Sequence, residues 1–354
     1  MAPSTTPLRP IQSAASPWEK LMAWATRDST LYVVKRILQA LLTLLLASAL
    51  SFLVIQLAPG NFLDQYRQNP QFSEETLAQL EAQFGLNQPV WRQYLNWLYQ
   101  VVVFGNFGLS FAYNRPVVDI LWERVPNTLL LSFASLIVTW AIALPLGILG
   151  AVRQDQWLDR GLRVLSYLGQ GIPTIITGLL LLFFAQITAP LFPVGGRTSI
   201  LHDDLNGLGQ ILDVGWHLIL PTIALSVTGF AGLQRITRGQ MLDVMRQNYI
   251  QTARAKGLPE DRVIYVHALR NAVNPLITLL GFEFASLLGG AFITETYFNW
   301  PGLGKLILEA VTAQDLYLVM ASLMMGAVML ILGNLLADLL LSVVDPRIRL
   351  SEMN

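Results

Sequence analysis

Ile37 to Ala58 reads ILQALLTLLLASALSFLVIQLA and contains no charged side chain. At about 1.5 Å per helical residue it is long enough to cross a hydrocarbon core of about 30 Å. Lys35 and Arg36 precede it, and Ala47-Ser48-Ala49 imitates a signal-peptidase site. A secretory signal has a core of about 7–15 apolar residues. Here apolar sequence resumes at once with Leu50, Phe52, Leu53, Val54 and Ile55, so the stretch predicts an uncleaved membrane anchor.

The remainder of the chain carries the same signal. Of 354 residues 53% are hydrophobic and only 13% charged, with a mean hydropathy of +0.50. Ordinary soluble domains have about 25% charged residues. Further apolar runs lie at Leu129–Val152, Val164–Phe192, Leu218–Leu233 (with Pro221 in its first turn), Pro275–Thr294 and Tyr317–Val344. Together they predict an all-α polytopic membrane protein with six spans, occupying residues 37–344. The net charge is zero, which gives no basis for a nucleic-acid partner. No cysteine is present, and His202, His217 and His267 lack ligand spacing, so disulfides, thiolate metal sites and a zinc hydrolase are not expected.

Lysine and arginine bias sets orientation. The segments before span one and after spans two, four and six hold 17 basic residues, and the other loops hold 6: Arg67, Arg92, Arg115, Arg124, Arg197 and Lys305. Both termini are therefore expected in the cytoplasm. Within the cytoplasmic segment 1–36, Trp18, Leu21, Met22 and Ala25 recur at helical spacing, the pattern of an interfacial helix; residues 1–15 read equally as a disordered tail. The external loop 59–127 predicts two helices. One is capped by Ser73, opens on Glu74 and Glu75 and ends at Gly85. The other, Val90–Val103, carries Trp91, Tyr94, Leu95, Leu98 and Val102 on one face, and would pack on the bundle's mouth or rest at the membrane surface. A short cytoplasmic tail, 345–354, closes the chain.

The internal loop 235–274 is the most specific segment. Nothing in it can span a membrane, yet Met241, Val244, Met245, Tyr249 and Ile250 keep a helical period. Ala253 and Ala255, then Gly257 and Pro259, predict a compact helix end with a flat small-residue surface able to approach another protein. Arg246, Arg254, Lys256, Arg262 and Arg270 give it basic edges, which positive-inside topology alone also explains.

Tyr249-Ile250-Gln251-Thr252-Ala253-Arg254-Ala255-Lys256-Gly257-Leu258, followed by His267-Ala268-Leu269-Arg270-Asn271-Ala272 and Pro275, resembles the cytoplasmic "EAA" loop of ABC-importer permeases, in the form found in the dipeptide/oligopeptide/nickel family. Leu57-Ala58-Pro59-Gly60, Phe84-Gly85-Leu86, Arg115-Pro116-Val117, Arg124-Val125-Pro126-Asn127-Thr128-Leu129, Glu295 to Gly304 and Asp345-Pro346-Arg347-Ile348 extend the likeness in order. Asn61 stands where an acid usually follows Ala-Pro-Gly, and Gln251 opens the triplet in place of the wider family's Glu.

The resemblance implies a type I importer permease fold with six helices, pairing with a second homologous permease subunit into a heterodimeric pore in the bacterial inner membrane. It implies two cytoplasmic ATPase subunits, which bind the ATP, and an extracytoplasmic substrate-binding protein. Tyr249, Gln251, Thr252, Ala253, Arg254, Ala255, Lys256, Gly257 and Leu258 would form the helix that couples to the ATPases. No catalytic residue, metal or cofactor of its own is implied. The cargo would be peptide, with nickel chelate, glutathione or another small solute as alternatives; the absence of a His-rich or Met-rich cluster favours peptide.

Rival readings fare poorly. Gly302-Leu303-Gly304-Lys305 lacks the first glycine and the Ser/Thr of a phosphate-binding loop, since Asn299 and Leu306 stand there. Glu283 and Asp338 lie too far apart along their spans for a catalytic pair, and no internal repeat supports an autonomous carrier or channel. Glu283 itself has two readings. With Ser286 and Gly290 on the same face, it lines the translocation pathway as a counter-charge, or it is a protonated acid tying helices together.

Overall fold

The computed structural model describes residues 27–57, 63, 67, 73–83 and 85–344. The described residues are mostly helical, with no strand among them. In chain order the helices are α1 (Arg27–Leu57), α2 (Glu74–Gln83), α3 (Val90–Phe104), α4 (Val117–Val152), α5 (Trp157–Gly171), α6 (Thr174–Ile187), α7 (Gly207–Met245), α8 (Asn248–Ala255), α9 (Leu269–Tyr297), α10 (Leu303–Thr312) and α11 (Leu316–Val344). A short helical turn, Glu260–Arg262, and a π-helical segment, Val263–Ala268, lead into α9. The expected interfacial helix around Trp18 and the 345–354 tail lie outside the described residues, as does the side chain of Asp338.

Among the described residues, four helices have the length and apolarity to cross a membrane: Val34–Leu57 within α1, α4, α7, and Leu316–Leu336 within α11. The third span expected from the sequence is not continuous. The run Val164–Phe192 is divided between α5 and α6, which meet at an angle of 100°. Pro173 explains the break, because proline disfavours helical backbone in the residue before it. Ile172 accordingly has φ −92° and ψ 117°. The fourth span is longer than expected. Leu218–Leu233 is only the middle of α7, so Pro221 lies inside the helix and not in its first turn. By the same extension, residues 235–245 of the expected cytoplasmic loop are the last turns of α7. Apolar runs mark where a helix meets lipid, not where it ends.

The core is the α4–α7 pair, the most extensive helix contact in the structure. α4 presents Ser132, Ser135, Thr139, Ala143, Gly147 and Gly150 as a buried small-residue stripe. Such stripes let helix backbones approach closely where no water drives burial. α9 packs on α7, α4 and α11; α11 in turn carries α1; and α5 and α6 lie against α7. α1 turns Leu42, Leu46, Leu50 and Leu53 outward.

The α4 start is knotted to the turn after α9. Glu295, fully buried, accepts hydrogen bonds from Thr128 Oγ1 at 2.6 Å and the Lys305 amide at 3.1 Å. Asn127 donates to the Pro301 carbonyl and Trp300 Nε1 donates back to the Asn127 carbonyl, each at 2.9 Å. The Leu303 amide donates to Thr128 Oγ1 at 2.7 Å. Gly302 is obligatory here, because a Cβ would fall on the Glu295 carboxylate. Two sequence motifs far apart in the chain therefore make one polar joint, with its buried groups satisfied.

Candidate coupling site and transport cleft

At the opposite end of α4, α7 stops at Met245 and the chain turns into α8. Ile250 and Ala253, three residues apart, face the bundle and pack with Ile148 and Ala151 of α4, Met241 of α7, and Val263, Ile264, Ala268 and Ala272 before and within α9. Ile250 is fully buried and Ala253 is 8% exposed. This places Ala253 on the anchoring face, whereas the sequence reading put it on the outward surface. The outward face consists of Tyr249, Gln251, Thr252, Ala255, Lys256 and Gly257, all exposed.

The end of α8 explains the remainder of the motif. Gly257 has φ +73°, a left-handed conformation that disfavours side-chain-bearing residues. Its amide donates to the Arg254 carbonyl at 2.9 Å, and the Leu258 amide donates to the Ala253 carbonyl at 3.4 Å. Those two bonds are a Schellman C-cap, and half-buried Leu258 packs back on the same cluster. Arg254 donates to Glu260 at 2.6 Å, which holds the Glu260 carboxyl below its usual range. This exposed pair contributes little to stability.

Asn271 had no role in the sequence reading. Its Nδ2 donates to the Tyr249 hydroxyl and to the His267 carbonyl, each at 3.0 Å, linking the second half of the motif to the outward face of the first. Ala268 and Ala272 are the floor on which Ile250 and Ala253 sit. A polar residue such as Asn271 one turn into a helix carries no local signal for this contact, because its partner lies across a turn.

Glu283 is the midpoint of α9, a helix of 29 residues. Its carboxylate accepts a hydrogen bond from Trp140 Nε1 of α4 at 2.6 Å. Glu283 lines a cleft of about 330 Å³ together with Thr139, Thr174, Thr228, Gly229 and Gly232 from α4, α6 and α7. The side chain of Ser286 lies outside the described ones. The three helices that grip α8, namely α4, α7 and α9, are also the helices that supply most of this cleft.

The sequence matches the family described as binding-protein-dependent transport system inner membrane component over residues 143–350, and that family's N-terminal membrane component over residues 30–132. It is 40% identical over 318 residues to the oligopeptide transport system permease protein AppB of Bacillus subtilis (strain 168), covering 90% of this chain and 98% of that one. It is 36% identical over 334 residues to the dipeptide transport system permease protein DppB of Escherichia coli (strain K12), covering 90% and 98%. Among solved structures, an inward-facing MetNI methionine ABC transporter chain superposes with a TM-score of 0.52 at 18% identity, covering 64% of this chain and 96% of that one. At that identity the likeness is one of fold. With matches on this scale, the chain belongs to the binding-protein-dependent transport system inner membrane components, the permeases of ABC importers.

Proposed function

We propose that the chain is one of two permease subunits of a peptide importer and that α8 transmits ATPase motion to the transport cleft. The observation that carries this reading is the two-faced geometry of α8. Its inner face is locked into α4, α7 and α9, so a partner gripping Tyr249, Gln251, Thr252, Ala255, Lys256 and Gly257 moves those helices rather than a loose loop. The relatives named for oligopeptide and dipeptide transport support peptide as cargo. A binding protein delivers it, two ATPase subunits bind and hydrolyse ATP, and this chain performs no catalysis and holds no cofactor. Co-purification with two ATPases and a second permease, and ATP-dependent uptake of a labelled di- or oligopeptide by the reconstituted assembly, tests the reading. Uptake by this chain alone would overturn it.

The proposal places α8 and both termini in the cytoplasm and counts α9 and the α5–α6 pair among six spans. The chain has no cysteine, so single-cysteine variants have no background. Cysteine at Gln154 or Gln251 is expected to react with an impermeant thiol reagent from the cytoplasm alone, and cysteine at Asp203 from outside alone. The reverse pattern would invert the orientation.

Glu283 bounds the proposed pathway, where an ionised carboxylate is expensive unless paired or wet. Glu283→Gln keeps the shape and can still accept the Trp140 hydrogen bond. If Glu283 meets the cationic amino terminus of a peptide, the variant loses uptake of free-amino peptides about tenfold or more while N-acetylated ones are unaffected, a tenfold change being about 1.4 kcal/mol. Equal uptake of both by the variant would reduce Glu283 to a tie between α4 and α9.

A further inference from the structure

α3 divides into three stripes at about 100° per residue. Tyr94, Trp97 and Val101 face inward, packing with Phe52 of α1, Phe111, and Leu316 and Met320 of α11. Arg92, Asn96 and Gln100 form a polar stripe, continued by Gln93, which donates to the Gln88 carbonyl at 2.8 Å. Between them Trp91, Leu95, Tyr99 and Val102 are apolar or aromatic and uncharged, yet face outward, with Trp91 64% and Val102 73% exposed. An exposed apolar stripe of this size marks a contact surface.

The depth of α3 identifies its occupant. Gln56 Nε2 donates to Gln93 Oε1 at 3.4 Å, joining the two side chains near the end of α1 at Leu57. The next residue, Tyr94, points the other way: its hydroxyl is 3.0 Å from Ser48 Oγ, and its ring packs on Phe52 with centroids 5.4 Å apart. Ser48 lies two and a half turns before Leu57, about 13 Å along the helix axis. At Gln93 and Tyr94 the α3 backbone therefore sits between the levels of Gln56 and Ser48, inside the length of an apolar span and not above it. Leu46, Leu50 and Leu53 of α1 are exposed over the same stretch of that helix. Trp91 and Tyr99, which have apolar bodies and polar tips, suit the boundary between acyl chains and headgroups.

We propose that α3 is a lipid-embedded helix, its Trp91–Leu95–Tyr99–Val102 stripe covered by acyl chains of the leaflet at the Leu57 end of α1 while Arg92, Asn96 and Gln100 remain wet. The proposal rests on reading α1 as a membrane span, and a label on α1 separates the two. The assembled transporter is reconstituted in nanodiscs of phosphatidylethanolamine and phosphatidylglycerol, with a nitroxide on cysteine at Leu95, Val102, Asn96, Gln100 or, as the lipid reference, Leu50. Collision rates with dissolved oxygen and with an aqueous nickel chelate are then measured. At Leu95 and Val102 oxygen collisions are expected to match those at Leu50, with nickel collisions several-fold below those at Asn96 and Gln100. High nickel accessibility at Leu95 and Val102 would show a water-exposed stripe and overturn the proposal. Low accessibility to both reagents would show a protein cover, a second permease or a binding protein, and overturn it equally. A reference label at Leu50 without the lipid pattern would remove the span on which the proposal rests. Peptide uptake is a separate readout, unaffected by any of these outcomes.

Discussion

A tryptophan at Ala255 is expected to leave a folded, membrane-inserted protein that no longer supports transport, whereas a tryptophan at Ala253 is expected to remove the folded protein itself. The two alanines are two residues apart on an eight-residue helix. Ala255 is exposed, and Ala253 is wedged against Ile148, Ala151 and Met241. An indole at 253 overpacks a closed cluster, which typically costs 1–3 kcal/mol and more where the backbone cannot shift. An indole at 255 meets nothing in this chain but occupies the face we assign to the ATPase. Losing even tenfold in docking takes only about 1.4 kcal/mol. Purification yield and thermal unfolding read the first effect; ATPase retention and peptide uptake read the second. Retained ATPases and normal uptake in Ala255→Trp would move the docking surface elsewhere. A well-folded but uncoupled Ala253→Trp would return that residue to the outward face.

The contrast also shows where sequence reasoning stops. Ala255-Lys256-Gly257-Leu258 announces its own helix end, because glycine is the residue that adopts the left-handed conformation a Schellman cap needs. The direction in which Ala253 points was not legible. A methyl group is at home on either face of a helix, and only the neighbouring Ile250, three residues earlier, marks the buried side. The spans were legible as apolar runs, but their limits were not. Pro173 broke a run that apolarity joined, and Pro221, expected at a helix start, lies deep within α7. The Glu295–Thr128 and Trp300–Asn127 contacts join residues more than 160 positions apart, and no local period encodes such a pairing. Family likeness marked those motifs as special without saying that they are one joint.

Arg238 is one of the basic residues after the fourth apolar run, and nothing in its local sequence marks a partner. In the structure Asp159 of α5 accepts two hydrogen bonds from the Arg238 guanidinium of α7, from Nε at 2.6 Å and from Nη2 at 2.8 Å. The Asp159 side chain is fully buried and that of Arg238 is 15% exposed. The Asp155 amide adds a third donor at 2.9 Å, and Ser166 donates to Gln234 at 2.6 Å between the same two helices. The pair fixes α5 to the part of α7 that leads into α8, so it bears both on stability and on how rigidly α8 is carried. Removing one member of a buried pair leaves the other charge unpaired and costs about 3–5 kcal/mol, while replacing both by apolar residues of similar volume is often neutral or stabilising. Asp159→Ala is therefore expected to lower the unfolding temperature sharply and Arg238→Lys less so, because lysine keeps the charge but not the two-pronged geometry. The double variant Asp159→Leu with Arg238→Met is expected to recover most of the loss. Single variants as stable as the parent would show that the pair contributes nothing net. A double variant no better than Asp159→Ala would show that Asp155, Ser166 and Gln234 depend on the charges being present. If the double variant recovers stability but not peptide uptake, the ion pair acts by holding α5 and α7 in one register during the transport cycle, a requirement that apolar packing of the same volume does not meet.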